Sequence, residues 1–194
     1  MNTFMKRLDL SQPRGAVFSG NRTYRYVLWR VWHSYRPARV VQTGKRKDHK
    51  QWPLLLYLGL NPSTANEITD DPTIARLTRR AWDGAFGGLL AANLCAFVAD
   101  DPERLLTARE PVGLWTDEYI RGLAEMVKET RGVVLVGWGQ LFSAGRFKFL
   151  QERADVVLKM VPEPYCLGQT KDGYPRHPLY IPYSVAPVPY QRKT

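Results

Sequence analysis

Cysteine and histidine are scarce in this chain of 194 residues. Its only cysteines, Cys95 and Cys166, are too far apart for a Cys-x-x-Cys pair, and two cysteines do not make a disulfide framework. Its three histidines, His33, His49 and His177, have no spacing that is typical of a zinc site. The sequence therefore excludes a disulfide-stapled scaffold, argues against a metal site and favours a reducing, cytoplasmic setting.

Several common sequence motifs are also missing. The chain has no Gly-x-x-x-x-Gly-Lys-[Ser/Thr] motif, which argues against a P-loop ATPase, and no Gly-x-Ser-x-Gly esterase turn. Gly137-Trp138-Gly139 begins like a dinucleotide-binding fingerprint, but the next glycine, Gly145, comes too late. No segment approaches the roughly 18 apolar residues of a membrane span, and residues 1–9 lack an apolar signal core. We therefore expect a soluble protein without a membrane partner.

Negative charge is in short supply. Asp and Glu total 18 against 28 Lys and Arg, which gives a net charge of +10. This surplus favours a polyanionic partner, with nucleic acid as the leading candidate, although a solubilising surface charge is the alternative. The densest cationic run, Lys45 to Lys50, suits phosphate groups or a solvated loop tip. Arginines interleaved with aromatic residues from Arg22 to Trp32 suit nucleic acid too, but an ordinary half-buried strand explains them as well.

The sequence contains several apolar runs of strand length. The run from Leu54 to Gly59 leads to Asn61, the run from Leu89 ends at Asn93, and Val133–Val136 leads into a Gly137–Gln140 turn. Ligands of open α/β sheets bind at the carboxyl ends of the strands. We therefore expect these polar residues, together with His177, to meet at one edge of the sheet. Taken singly, each residue has a simpler interpretation: Asn61 shapes a turn, Asn93 caps a strand end and His177 is solvated.

The alternation of strands and helices predicts one domain over residues 1–194, with a three-layer α/β/α fold and a mainly parallel central sheet. Residues 1–23 are predicted to be an irregular lead-in, and residues 24–32 an edge strand. Helices are predicted from Pro72, from Thr116 and from about Ala144 to Arg153. Strands are predicted over residues 156–160 and 165–167, and the proline-rich tail, residues 181–194, is expected to wrap the surface.

Five short motifs resemble the signature of an uncharacterised bacterial and phage family: Leu60-Asn61-Pro62-Ser63-Thr64-Ala65, Asp70-Asp71-Pro72-Thr73-Ile74, Asn93-Leu94-Cys95-Ala96, Trp138-Gly139 and Pro175-Arg176-His177-Pro178-Leu179-Tyr180. Their order is also similar to that of the uracil-DNA glycosylase superfamily. Gly59-Leu60-Asn61-Pro62 is similar to its Gly-x-Asp/Asn-Pro motif, in the Asn form of the mismatch-specific and thymine-DNA branch. Leu89 to Asn93 resembles the strand that ends in the pyrimidine-reading Asn, and His177-Pro178 resembles the start of the His-Pro-Ser-Pro loop.

This resemblance implies a monofunctional DNA glycosylase with a uracil-DNA glycosylase-like fold, a monomer that needs no metal or organic cofactor. A base flipped out of the stack would enter the pocket. Asn61 would hold the attacking water or stabilise the cationic sugar, His177 would donate a hydrogen bond to the pyrimidine O2, and Asn93 would pair with the pyrimidine edge. Further substrate contacts are expected from Gly59, Leu60, Pro62, Ser63, Thr64, Asp71, Trp138 and Gly139. DNA-backbone contacts are expected from Lys45, Arg46, Lys47, Lys50, Arg76, Arg176 and Tyr180.

Departures from the superfamily pattern bear on the substrate. Asn61 stands where the fastest branch has Asp and cannot act as a base, which implies slower hydrolysis or weakened bonds. Leu179-Tyr180 replaces Ser-Pro, which makes both residues candidates for a wedge into the duplex. Ser63 replaces a bulky Tyr that excludes 5-substituted pyrimidines. The hypothesis is therefore a 5-modified pyrimidine, such as a hypermodified phage cytosine, and a role in anti-phage defence.

Two alternatives remain open from the sequence. One is a non-catalytic module on the same fold that binds a modified base or nucleic acid. The other is an enzyme that acts on free nucleosides or nucleotides, although the basic charge favours a polymer.

Overall fold

The computed structural model describes residues 7–32, 52–140, 148–161 and 163–192. In these ranges the chain forms one sheet and a set of helices. In chain order the elements are β1 (Arg14–Phe18), β2 (Arg25–Val31), β3 (Leu54–Gly59), α1 (Pro72–Asp83), β4 (Gly88–Asn93), α2 (Arg104–Thr107), α3 (Thr116–Glu129), β5 (Val133–Val136), α4 (Lys148–Leu158), β6 (Tyr165–Cys166), a 3₁₀ turn (Pro178–Tyr180) and β7 (Val188–Pro189).

The sheet has the strand order β1-β2-β4-β3-β5-β6-β7. The four neighbours β4, β3, β5 and β6 are parallel, whereas β1 and β2 on one side and β7 on the other are antiparallel to their neighbours. The protein is therefore a mixed α/β protein with a partly parallel sheet. The prediction of parallel pairing holds for the central strands and not for the margins.

Strand β3 is buried on both faces, as its uninterrupted apolar sequence predicts. Leu54, Leu56 and Leu58 belong to one core cluster, which also contains buried residues of α3 and α4. Leu55 and Tyr57 belong to a second cluster, which contains the buried residues of α1. Alternate residues of the strand therefore contact helices on opposite faces of the sheet.

Helix α1 begins where the sequence predicts. Asp71 caps the helix, because its side chain accepts a hydrogen bond from the backbone N–H of Ile74, and Pro72 occupies the first turn, where a missing N–H costs nothing. Ile74, Leu77 and Ala81 form the buried face. The cap thereby fixes Asp71 beside the ends of the parallel strands.

The margins of the sheet correct several predictions. The lead-in contains β1, which covers β2, so residues 24–32 do not form an edge strand. Residues 156–160 are not a strand but the end of α4 and a turn. In α4, Leu150, Ala154 and Val157 are buried at helical spacing. The prediction failed because a short apolar run that is rich in β-branched residues cannot be distinguished from a helix by composition alone. The tail contains β7, which pairs with β6.

Within the described ranges, none of the helices is long and apolar enough to cross a membrane.

Candidate active site

A cavity of about 180 Å³ lies at the edge of the sheet where β3, β4 and β5 end, which we call the carboxyl edge. Strand β2 is antiparallel to β4, so it begins at the same edge and brings Arg25 there. Pairing of β3 with β4 sets Gly59 opposite Asn93. The lining residues are Arg25, Tyr57, Gly59, Leu60, Asn61, Ser63, Asp71, Thr73, Ile74, Ala91, Asn93, Ala99, Asp100, Pro102, Trp138 and His177.

Most of the predicted catalytic and substrate-binding residues line this one cavity: Gly59, Leu60, Asn61, Ser63, Asp71, Asn93, Trp138 and His177. The other three predicted residues lie next to it. Pro62 follows Asn61 and accepts a hydrogen bond from its amide. Thr64 lines an adjoining groove that shares Ser63 with the cavity. A Cβ atom at Gly139 would lie 3.5 Å from the Cβ of His177.

Asn61 holds its side-chain amide in one orientation. Its Nδ2 donates to the backbone carbonyls of Pro62, at 3.0 Å, and Ala99, at 2.8 Å. Because a carbonyl oxygen can only accept, turning the amide round would lose both hydrogen bonds. No described residue donates to its Oδ1 in turn. Asn61 therefore offers a ligand a hydrogen-bond acceptor.

Asn93 is 6% exposed, and its buried Nδ2 has no hydrogen-bond partner among the described residues. A buried polar group left unpaired costs about 1–3 kcal/mol, so a ligand with a complementary edge would stabilise it. A Cβ atom at Gly59 would lie 2.9 Å from Asn93 Oδ1 and 2.9 Å from Tyr57 Cε1. Only glycine at position 59 leaves both neighbouring side chains where they are.

His177 directly precedes the 3₁₀ turn, and its Nδ1 accepts a hydrogen bond from the backbone N–H of Leu179 at 3.4 Å. Burial lowers the pKa of its imidazole, while the negative charge of Asp71 opposes that shift. A neutral imidazole that accepts at Nδ1 carries its proton on Nε2. His177 can therefore donate a hydrogen bond from Nε2 at neutral pH.

Asp71 supplies negative charge to the cavity. Its Oδ1 accepts the capping hydrogen bond from the Ile74 N–H at 2.8 Å. Its charge acts to raise the pKa values of Arg25, Tyr57 and His177. For each of the three, burial has the larger effect on the pKa. The residue that starts α1 is thus electrostatically coupled to the three titratable side chains around it.

Two aromatic side chains form apolar walls. The Tyr57 hydroxyl donates to the Gly137 carbonyl at 2.8 Å, and burial raises the pKa of the phenol, so Tyr57 is neutral. The Trp138 ring packs edge-on against Tyr190, with the ring centroids 6.0 Å apart. The sequence did not single out Tyr57, although its position two residues before Gly59 puts it on the same face of β3.

Arg25 is a charged cavity residue that the sequence did not assign to the site. It is 3% exposed, its Nη1 donates to the Ala65 carbonyl at 2.7 Å, and its buried Nε has no partner among the residues that the structure describes. Burial lowers its pKa to about 10, and the charge of Asp71 opposes this shift. The available signal is a charged residue at the start of an apolar strand, but its meaning depends on β2 running antiparallel to β4.

The predicted DNA-backbone residues lie in different places. Lys45, Arg46, Lys47 and Lys50 lie outside the described residues. Arg76 donates to the carbonyls of Pro178, at 3.1 Å, and Ile181, so it ties α1 to the segment that carries His177. Its contact with phosphate stays a prediction.

Arg176 and Tyr180 flank His177-Pro178 on the surface. Arg176 is exposed, and Tyr180 is 79% exposed, with its ring centroid 6.4 Å from that of His177. Leu179, the other wedge candidate, is half-buried. Of the two wedge candidates, Tyr180 is therefore the more exposed.

No group of three or more His, Cys, Asp or Glu side chains that could hold a metal ion occurs in the part of the chain that the structure describes. The polar side chains that line the cavity include two amides, an imidazole, two carboxylates, a guanidinium and the hydroxyl groups of Ser63, Thr73 and Tyr57. This set can bind a small ring with both donors and acceptors and can stabilise charge of either sign.

The fold and the cavity together define a mixed α/β protein with a polar pocket at the carboxyl ends of its parallel strands. Residues 25–179 match the family described as "Protein of unknown function (DUF1643)". The match covers most of the chain, and the protein belongs to this family. No curated protein and no solved structure matches the chain.

Proposed function

We propose that this protein is a DNA glycosylase that hydrolyses the N-glycosidic bond of a flipped pyrimidine and leaves an abasic site. The observation that carries the proposal is the convergence of Asn61, Asn93 and His177 on one cavity, although the three residues are far apart in the sequence. Each presents the type of group that the reaction needs at the base or at the sugar.

The size of the cavity limits the ligand. A cavity of about 150 Å³ in another protein holds benzene, and the cavity here measures about 180 Å³. It therefore suits one six-membered ring with a small substituent. Ser63 in its lining is compatible with a substituent at C5 of the ring, but a glucosyl group would have to project out through the mouth.

The mechanism follows from the orientation of the side chains. As the bond between C1′ and the base breaks, its electron pair moves to the base, and the His177 Nε2–H donates to the negative O2. The Asp71 carboxylate favours the developing positive charge on the sugar. A water molecule that donates to Asn61 Oδ1 adds to C1′ and releases its proton to solvent, since an amide cannot take it.

The whole molecule supports a DNA substrate. The net charge of +10 favours a polyanion. Helices contact both faces of the sheet, as a three-layer arrangement of the uracil-DNA glycosylase type requires. Monomeric action in the cytoplasm against modified phage DNA, without a cofactor, belongs to the same proposal.

An abasic-site assay tests the proposal. Purified protein is incubated with single- and double-stranded oligonucleotides that contain uracil, mismatched thymine, 5-hydroxymethyluracil, 5-hydroxymethylcytosine or its glucosylated form, and alkali then cleaves at abasic sites. We expect cleavage of at least one substrate with a small 5-substituent. The Asn61→Ala and His177→Ala variants should lose cleavage and keep salt-sensitive DNA binding, whereas Asn21→Ala, in an exposed turn, should behave like the wild type.

One observation favours a second candidate. Asn61 presents an amide where hydrolysis would profit from a base, which suits a module that senses a base without cutting it. Base-dependent DNA binding that requires Asn93, with no abasic site on any substrate, would support the sensing module. Release of bases from free nucleosides but not from DNA would instead show a nucleoside-processing enzyme.

A further inference from the structure

Strand β2 contains two arginines, Arg25 and Arg30, that are each only 3% exposed. Arg30 is fully paired. Its Nη2 lies 2.6 Å from Asp70 Oδ1, its Nε donates to the same oxygen at 2.7 Å, and its guanidinium also donates to the carbonyls of Trp29 and Asn66, both at 2.8 Å. Arg30 has the environment of a structural buried arginine.

Arg25 lacks such an environment. A guanidinium has five N–H donors. Within the described ranges, the guanidinium of Arg25 forms one hydrogen bond, from Nη1 to the Ala65 carbonyl. Among the described residues, its Nε has no acceptor and no carboxylate forms an ion pair with the guanidinium. A buried charge left unpaired in this way is destabilising, which favours a role outside folding for Arg25.

The unpaired donors of Arg25 and Asn93 share one location. Arg25 and Asn93 both line the cavity, and the Nδ2 of Asn93 is also buried without an acceptor in the described ranges. Asp71, also in the lining, acts on Arg25 through its charge, although no salt bridge joins the two in the part of the chain that the structure describes. These two donors therefore lack acceptors, and a ligand that brings oxygen atoms into the cavity would supply them.

We propose that Arg25 is a specificity-determining residue that binds a carbonyl or carboxylate oxygen of the ligand in the cavity. A guanidinium has no acceptor and cannot pair with an exocyclic amino group. The substrate class is therefore an oxo- or carboxy-substituted pyrimidine that directs an oxygen at Arg25. The identity of the ring rests on the proposed function, whereas the chemistry of the recognised group rests on Arg25 itself.

Binding of free bases tests this without requiring cleavage. Isothermal titration calorimetry at millimolar ligand compares uracil and 5-carboxyuracil with 2,4-diaminopyrimidine, which has no oxygen. We expect the wild type to bind the two oxygen-bearing rings and not the diamino ring. The Arg25→Met variant should bind them about 10- to 100-fold more weakly, the loss expected for a hydrogen bond to a charged group.

Thermal unfolding separates ligand recognition from structural support. Ligand-free Arg25→Met should melt at or above the wild-type temperature, since an unpaired buried charge is replaced by an apolar side chain. Arg30→Met, the matched control, should melt at a lower temperature because it leaves Asp70 without its partner. Arg25→Lys keeps the charge but lacks the planar guanidinium. This variant should fold, and it should bind the oxygen-bearing rings more weakly than the wild type does.

Several results would overturn the inference: unchanged affinity in both Arg25 variants, equal affinity for the diamino ring, no binding of either oxygen-bearing ring, or an Arg25→Met protein that is as destabilised as Arg30→Met. The test is independent of the glycosylase assay. Arg25-dependent binding without abasic sites would refute the proposed reaction and leave the recognition role of Arg25 intact.

Discussion

His177 is half-buried, and burial lowers the pKa of its imidazole. The sign of its linkage to stability follows from this shift. An unfolded histidine titrates near pH 6.5, and burial lowers the pKa of His177 in the folded protein. Below pH 6.5 the unfolded chain therefore binds more protons at this residue than the folded chain does. The contribution of His177 to stability is complete above pH 6.5 and is lost as the pH falls towards its folded pKa.

An NMR titration of the imidazole signals checks this prediction. The chain has three histidines, and the His177 signal is identified by its disappearance in His177→Ala. Its midpoint should lie below 6.5, and Asp71→Asn should lower it further, because the carboxylate opposes the effect of burial. A midpoint above 6.5, or one that rises in Asp71→Asn, would contradict the neutral donor assigned to His177.

At Asn61, the structure predicts that a carboxylate is not tolerated. Asn61→Asp would set a negative oxygen against the carbonyls of Pro62 and Ala99, which now accept from Nδ2. We expect a loss of about 1–3 kcal/mol in the free energy of unfolding at pH 7, larger than for Asn61→Ala. Urea denaturation measures it. The loss should shrink at acidic pH, where the introduced carboxyl group is protonated and can donate to one carbonyl, and equal stability of Asn61→Asp and wild type would refute the amide orientation.

At the scale of elements, α1 holds the segment that carries His177. Arg76 donates to the Pro178 and Ile181 carbonyls, and Arg80 donates to those of Ile181, at 2.8 Å, Pro182, at 2.7 Å, and Val185, at 3.1 Å. Residues 178–185 are otherwise short of regular structure. The position of His177 therefore depends on two arginines, of which neither lines the cavity.

Arg76→Ala and Arg80→Ala should loosen this segment. We expect faster amide hydrogen exchange in residues 179–185, a loss of about 1–3 kcal/mol of stability for each variant, and weaker activity or ligand binding. Arg79→Ala is the control on the same helix. Its side chain is 67% exposed, and within the described part of the chain its one ion pair is with Asp83, so its removal should change little. Equal exchange in all three variants would show that the arginines do not hold the segment.

At the scale of the whole molecule, the surplus of positive charge predicts salt-sensitive DNA binding. Fluorescence anisotropy at several salt concentrations gives the slope of log affinity against log salt. Replacement of Lys45, Lys47 and Lys50 by serine should reduce the magnitude of this slope by about 2–3 for duplex DNA, if each lysine neutralises one phosphate.

A charge-matched variant distinguishes a local contact from net charge. Lys128, Lys148 and Lys159, all exposed on α3, on α4 or just after it, are replaced by serine in the control. This variant loses the same three charges and should keep the wild-type slope. Equal slopes in both variants would assign the effect to total charge and exclude the cationic run from the proposed DNA contacts.

The sequence by itself determined the centre of this protein. Strands β3, β4 and β5 are continuous apolar runs, and the start of α1 follows from Asp71-Pro72. These features are local, so the chain specifies them without reference to distant residues. The carboxyl edge followed in turn, because parallel strands end on one side, and with it the places of Asn61 and Asn93.

Only the tertiary structure decided the rest. Contacts between segments far apart in the chain decided three features. These are the antiparallel pairing of β1 with β2 and of β7 with β6, the helical state of residues 156–158, and the hydrogen bonds from Arg76 to the segment that carries His177. Arg25 shows the physical reason best. Its neighbours in sequence resemble those of Arg30, but one arginine lies beside Asp70 and the other opens onto the cavity. The partners that a buried charge has are set by packing and not by local sequence.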